Sequence, residues 1–419
     1  MAQAALNLEG IAFCTLEIEG TDMPPSMNMI ETIWILEGFG MGLPAMKMSL
    51  FDENETLSKD LNLKNGTKIK IRLGKDAQEA PEMAFRVFGW KRPRNSQGKV
   101  LHVVCIYDAP KFSAGSFSES FEGTSATVMQ ALAEMSGLQY DGPRTPPTDS
   151  QVWLNLNTTR ISFSEDVAMR AYAGTQSAMA RCVTTEGKLM YRDLMALLKE
   201  EPKFTLVHNS DGGGTSGTTV QVRAAKDGSN SGLFTHFFNY GYKLFGHSFS
   251  DEHTKLENLD INAQGAGVPV NAEIAGMLSE RGARVGYAGY DYGTGPDEGF
   301  NVHENYERAY YQNLRLLSLF TETLVALSDS ATGITSFTSV DFNQGPGAKG
   351  PGEQVPTDVT GRYIVGGKTR VIKNGTKYSE IFYLYRPFIG EAGNPGGTKA
   401  KNTVKASSSG VDTSSRNFT

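Results

Sequence analysis

Residues 361–387 read GRYIVGGKTRVIKNGTKYSEIFYLYRP. Asn374-Gly375 is the strongest hairpin signal in the chain, because Asn and Gly both enter the left-handed region readily. Its flanks are rich in Val, Ile, Thr, Tyr and Phe and are bounded by Gly361 and Pro387, which is strand chemistry. Two long paired strands therefore close the fold. Within them Gly367-Lys368-Thr369 resembles the end of a phosphate-binding loop, but the first glycine of that motif would have to stand at 362, which is Arg362. Both flanks read as strand, whereas a phosphate cradle needs a helix whose N-terminal amides face the anion. The segment reads as structure, not as a nucleotide site.

Outward from this hairpin, the same strand grammar fills residues 8–110. Apolar residues recur at every second position around Ile33 and Ile35 and again at Met46, Met48 and Leu50. In 67–73, Ile69, Ile71 and Leu73 alternate with Lys68, Lys70 and Arg72, which predicts a strand with one wet face. Phe85–Trp90 and Val100–Tyr107 continue the series across a turn at Pro93–Gly98, and a small antiparallel barrel or sandwich follows. Gly38, Gly40 and Gly42 make no dinucleotide fingerprint, since no βαβ unit follows, and read as a bend.

From about 113 to 200 the character becomes mixed α+β. Thr124 or Ser125 can cap a helix that places Val128, Leu132 and Met135 on one face and stops at Gly137. A strand is expected near Val152–Leu156. Ser162 and Glu165 read as a capping box for a second helix through Tyr172, with Gly174 as its stop, and Glu186-Gly187 as the turn of a hairpin. Residues 208–300 mix Gly, aromatics and polar residues without periodicity. Tyr306, Tyr310, Leu314, Leu317, Thr321, Leu324 and Leu327 then keep helical spacing. The stretch 391–419 is Ser, Thr, Gly, Lys and Asn with almost nothing to bury, and reads as a flexible tail.

The 419 residues exceed what one core usually serves, so two or three domains are expected. With 46 glycines and many aromatic and β-branched residues, the fold class is α+β and β-rich. A net charge of -6 with no Lys/Arg stripe argues against specific duplex binding. No run approaches the ~18 apolar residues of a membrane-spanning segment, and no secretion signal opens the chain. Cys14, Cys105 and Cys182 are odd in number and far apart, which suits buried reduced thiols. The Asn-x-Thr triplets at Asn54, Asn65 and Asn374 carry no weight without a secretion signal.

Residues that carry chemistry are few. His247, Asp251, Glu252 and His253 are the one local cluster of metal-ligand types, but the i, i+6 histidine spacing does not share a helix face as zinc hydrolase ligands do. His102, His208, His236 and His303 stand near no recognised nucleophile motif; His102 alternates with Val100 and Val104 as a strand-face residue. Tyr378, Phe382, Tyr383 and Tyr385 could stack bases or sugars, although core packing and subunit contact suit them better. No catalytic, cofactor-binding or metal residue is assigned, and the chain is read as a non-enzyme.

Taken in order, LKNGTKIKIRLG (63–74), FRVFGWKR (85–92), SFEGTSATVMQALAEMSGLQYDG (120–142), SFSEDVAMRAYAGTQSAMARCVTTEGKLMYRD (162–193) and the closing hairpin resemble the hub proteins of contractile phage baseplates and the hub portion of type VI secretion spikes. The resemblance spans roughly 8–200 and 335–387, and the order of the motifs, not any one of them, carries it. It implies two tube-type antiparallel β-barrels per chain with an inserted α+β module. The units would be a first barrel at 1–112, the module at 113–206 and a second barrel at 207–390, discontinuous as about 207–225 and 335–388 around an irregular and helical insertion 226–334. It implies a homotrimer that matches a hexameric tail tube to a trimeric central spike. Its partners would be itself, tail tube proteins, the spike, other baseplate proteins and genomic DNA passing non-specifically. Its place would be the virion tail, after assembly in the host cytoplasm. Two other classes stay open: a peptidoglycan-cleaving hydrolase with its site in 208–300, and a carbohydrate-binding adhesin.

Overall fold

A computed structural model of the chain describes residues 13–23, 29–52, 57, 59, 63–74, 80–93, 100–174, 177–208, 217–229, 243–244, 261–262, 312, 315–316, 319, 322–344, 359–374 and 377–387. The first seven strands are β1 (Phe13–Ile18), β2 (Thr21–Met23), β3 (Ile30–Gly38), β4 (Ala45–Phe51), β5 (Lys68–Gly74), β6 (Glu82–Lys91) and β7 (Val100–Tyr107). They pair antiparallel in the order β3-β4-β7-β6-β5-β1-β2. The alternation read from sequence sets the faces: Ile69, Ile71 and Leu73 are buried with Ile33, Ile35, Met46, Met48, Phe85 and Val103 in one core. On the wet face Lys70 lies 3.4 Å from both Glu17 and Glu82, which suits an exposed cross-strand row.

The middle of the chain forms α1 (Pro110–Ser113), β8 (Phe117–Gly123), α2 (Ser125–Ser136), β9 (Gln139–Asp141), β10 (Gln151–Thr158), α3 (Arg160–Arg170), β11 (Met179–Val183), β12 (Lys188–Asp193) and α4 (Leu194–Lys199). A second core around Phe112, Trp153, Phe163 and Tyr191 holds it together. The Thr124 side chain accepts from the Thr127 amide at the start of α2, and Gly137 ends that helix at φ 75°. The buried face of α2 is Val128, Met129, Leu132 and Ala133, and Met135 is exposed. In α3 the cap is Thr159, which accepts from the Ser162 amide. The expected Ser162/Glu165 box therefore lies inside the helix, because Thr159 offers the same hydroxyl one turn earlier. The helix stops at Arg170, before Tyr172 and Gly174.

The remaining strands are β13 (Phe204–His208), β14 (Thr219–Val222), β15 (Ala224–Ser229), β16 (Lys243–Leu244), β17 (Ile261–Asn262), β18 (Glu322–Ser328), β19 (Ser339–Gln344), β20 (Gly361–Lys373) and β21 (Lys377–Arg386). Seven of them pair as β14-β13-β19-β20-β21-β18-β15 around a third core of Leu206, Val220, Leu324, Phe342, Val365 and Phe382. The ladder's two ends, β14 and β15, are consecutive in the chain and joined by Arg223, whose amide donates to the Leu327 carbonyl at 2.8 Å.

The helix expected over 306–327 is only partly what forms. Gln312, Arg315, Leu316 and Leu319 are helical, but 322–328 is strand, with Leu324, Ala326 and Ser328 facing inward. Leu324 and Leu327 are three apart, which suits one helix face but puts them on opposite faces of a strand; pairing with β21 settles the choice, and Leu327 falls on the outer face. Leu314 and Leu317 lie outside the described residues, as do the expected tail and most of 230–311.

The closing hairpin is the member common to both strand systems. The first half of β20 pairs with β19 through Gly361–Ile364, and its second half pairs with β3 through Gly367–Lys373. The switch falls at Gly366-Gly367, where the β20–β21 register shifts by a bulge. There the Phe39 amide donates to the Gly366 carbonyl at 2.7 Å. A Cβ on Gly38 would stand 2.7 Å from Gly367 Cα, so glycine is needed for backbone to pass this close. Ile372 and Tyr378, at the hairpin's tip, complete the first core, and Val365, Phe382 and Leu384 belong to the third.

Candidate functional site

Beside the glycine joint, four charged side chains share one face of the shared strands. Register sets Glu37 opposite Lys368, and Arg370 opposite Glu380. Lys368 and Glu380 are each 1 % exposed, Glu37 3 % and Arg370 8 %, and the four charges cancel. The tight contact is diagonal, Lys368 Nζ to Glu380 Oε1 at 2.7 Å, and Arg370 Nη1 stands 3.8 Å from Glu37 Oε2.

The remaining valences are answered as burial requires. Lys368 donates to the Ile334 carbonyl at 2.9 Å. The Tyr378 hydroxyl donates to Glu380 Oε1 at 2.7 Å, and Thr332 donates to Glu380 Oε2 through its amide and hydroxyl at 3.1 and 2.6 Å. Glu37 Oε2 accepts from the Thr185 amide and hydroxyl at 2.8 and 2.7 Å, and Arg370 donates to the Thr185 hydroxyl at 2.8 Å. Thr185 lies in the β11–β12 turn that ends at Gly187, φ 77°. The α+β module thus plugs its hairpin turn into the joint between the two strand systems. A further cluster of Cys182, Met190, Leu194, Phe337 and Ile364 seals that contact.

Electrostatics follow from this arrangement. Burial pushes the Glu37 carboxyl up, but the Arg370 charge, the two Thr185 hydrogen bonds and Lys368 together hold it below its ordinary value. Burial lowers Lys368, and Glu380 only partly restores it. Burial also lowers Arg370, but Glu37, Tyr378 and Glu380 outweigh it, and the guanidinium stays firmly charged. The set is an ionic fastener between β3, β20 and β21.

Lys368, which the sequence places in a near-miss phosphate loop, is a strand residue of this fastener. Tyr378 belongs to it too, Phe382 is core, and Tyr383 and Tyr385 are half-buried. The Nδ1 atom of His102 bonds the Ser49 hydroxyl at 2.8 Å, and His208 ends β13. His236, His247, Asp251, Glu252, His253 and His303 lie outside the described residues. Cys14, Cys105 and Cys182 are buried free thiols, and burial pushes Cys14 and Cys105 up to about 12. Glu37 and Glu380 escape motif reasoning, yet each sits on an apolar strand face, Glu37 after Ile33 and Ile35, and Glu380 between Tyr378 and Phe382. That misplacement is the signal that could have found them.

No protein-family model and no curated protein matches the chain. Solved structures do. The 43 kDa tail protein of prophage MuSo2 from Shewanella oneidensis superposes with a TM-score of 0.51 at 11% identity, over 89% of this chain and 96% of that one. A tail protein from Neisseria meningitidis MC58 gives 0.52 at 9% identity, over 89% and 96%. The described residues therefore have the β-rich fold of these tail proteins.

Proposed function

We propose that the chain is a structural hub of a phage-type tail, a homotrimer that joins a sixfold tube to a threefold spike and surrounds the path of the DNA. The observation that carries this reading is the shared hairpin: one chain builds two strand systems, each around its own core, locked together by β20 and β21. Three copies of such a chain offer six similar units on one side and three chains on the other, which is the arithmetic of a symmetry adaptor. The likeness in fold to the two tail proteins supports it.

In this reading each strand system is a tube-type barrel. The first unit is 1–112. The module 113–206 braces the joint through Thr185. The second unit is drawn from 207–390, with β15 and β18 extending it on either side of the intervening segment. A net charge of -6 suits a channel that DNA passes without being held, because few phosphates would displace counterions onto lysine or arginine. Its neighbours would be tube, spike and other baseplate proteins within the virion, and its work is holding, not catalysis.

The test is native mass and class-averaged electron microscopy of the full chain over a concentration series. A trimer with a six-lobed rim is expected. A chain that stays monomeric throughout and cleaves peptidoglycan, with cleavage lost in His247→Ala and His253→Ala, would replace this reading with the hydrolase one.

A further inference from the structure

The outward face of the first strand system carries cations of two kinds. Near β5 they are answered within the chain: Lys68 and Arg86 reach Asp108 at 3.5 and 2.6 Å, and Lys70 lies between Glu17 and Glu82. Further across the sheet they are not. Register sets Lys377, Lys373, Thr32, Ser49, His102 and Lys91 side by side on β21, β20, β3, β4, β7 and β6. Lys47 stands two residues along β4 from Ser49, on the same face, between Trp34 and Val104. Neighbouring strands lie about 4.8 Å apart, so the row runs roughly 24 Å across the sheet. Lys47, Lys91, Lys373 and Lys377 are exposed and form no ion pair among the described residues, and Val104 is an exposed apolar side chain beside them.

A surface of opposite charge lies on the α+β module. Helix α3 leaves Ser162, Glu165, Asp166 and Met169 exposed at i, i+3, i+4, i+7 spacing, which is one stripe of the helix. On α2, packed beside it, Gln130, Glu134 and Met135 are exposed. Glu165 is held by Arg181, but Glu134 and Asp166 form no ion pair among the described residues. Each surface thus joins unanswered charge of one sign to exposed apolar side chains. The two do not meet within a chain. A Cβ on Gly42, in the β3–β4 turn, would stand 3.2 Å from Ile161 at the start of α3, whereas the lysine row crosses β3 and β4 at Thr32 and Ser49, toward their opposite ends.

We propose that α2 and α3 of one chain dock on the lysine row of the next, so that one contact repeated head to tail closes the ring. Cyclic closure takes two different, complementary patches on each chain, and this chain carries one that is basic and one that is acidic. The apolar side chains in both favour a folded protein over a nucleic-acid backbone, which would call for charge alone. The inference rests on the homotrimeric reading above.

The experiment compares four full-length chains by light scattering and native mass: the natural one, Lys47→Glu with Lys91→Glu, Glu134→Lys with Asp166→Lys, and all four changes together. Circular dichroism checks that these exposed substitutions leave the fold intact. Each reversed pair sets like charges against one another and is expected to weaken association roughly hundredfold or more. The fourfold swap restores opposite charges and is expected to restore the trimer, a recovery that a folding defect would not show. If the natural chain is a trimer and either reversed pair remains one, or if the fourfold swap does not recover it, this contact is overturned and the trimer stands. If the chain with the reversed row stays trimeric but retains less double-stranded DNA than the natural one, the row is a DNA surface and the contact is likewise overturned. If the natural chain is a monomer at every concentration, the contact and the ring fall together.

Discussion

Lys368 and Arg181 are both cations removed from water, at 1 % and 5 % exposure, and their surroundings treat them in opposite ways. At the joint every charge meets an opposite one and each carboxylate oxygen has a donor, from Thr185 and Ser336 on Glu37 and from Thr332, Tyr378 and Lys368 on Glu380. At Arg181, on β11, one of three guanidinium nitrogens is answered and two are not. The difference separates a place where the chain finishes its own structure from a place where its structure is unfinished. Buried polarity alone marks neither; the completeness of its partners does.

The sharpest way to break this comparison is Lys368→Met. Removing one member of a satisfied buried set leaves the Glu380 carboxylate uncompensated, and denaturant unfolding should show a loss of about 3–5 kcal/mol. The double change Lys368→Met with Glu380→Gln should recover much of it; a loss equal to the sum of the single changes would mean the pair is not coupled. Next in size is Gly38→Ala, whose Cβ would meet Gly367 Cα at 2.7 Å, for a loss of about 1–3 kcal/mol by overpacking. A smaller effect follows from pH. The Glu37 carboxyl lies below its ordinary value of 4.5 in the folded chain, so the stability it contributes is present above that value and fades as pH falls through the lower, folded one. Thermal melting between pH 6 and 3 should show that loss, and Glu37→Gln should flatten this part of the curve. The smallest effect is Arg181→Met in the isolated monomer, within about 1 kcal/mol, because its partner Glu165 is half exposed and two of its donors are idle. A loss as large as that of Lys368→Met would abolish the contrast.

The sequence makes the strands easier to find than the site, for a physical reason. Lys68, Lys70 and Arg72 alternate with isoleucine and leucine because one face of β5 meets water, and alternation is then plain. The hairpin announces itself at Asn374-Gly375 because few residues accept that turn, and Asn374 does take φ 52°. Lys368 and Arg370 show the same alternation as a wet strand, but β20 is covered on both faces, so a solvated pattern stands where a buried ionic row lies. What covers it, Thr185 at the tip of a hairpin almost two hundred residues earlier in the chain, is fixed by tertiary packing and leaves no local trace. The strand at 322–328 is misread as helix for a related reason: its inward residues Leu324, Ala326 and Ser328 are not all apolar, and pairing with β21 decides.

The shared hairpin also sets when this chain can fold. β3, among the first strands to leave the ribosome, waits for β20 to pair along its second edge, and Ile372 and Tyr378 are the last side chains to enter the first core. Contacts so distant in sequence are slow to form and leave strand edges open in the meantime. Folding of the two strand systems is therefore joint, and a nascent chain stalled before residue 361 carries an exposed β3 edge that chaperones would have to shield.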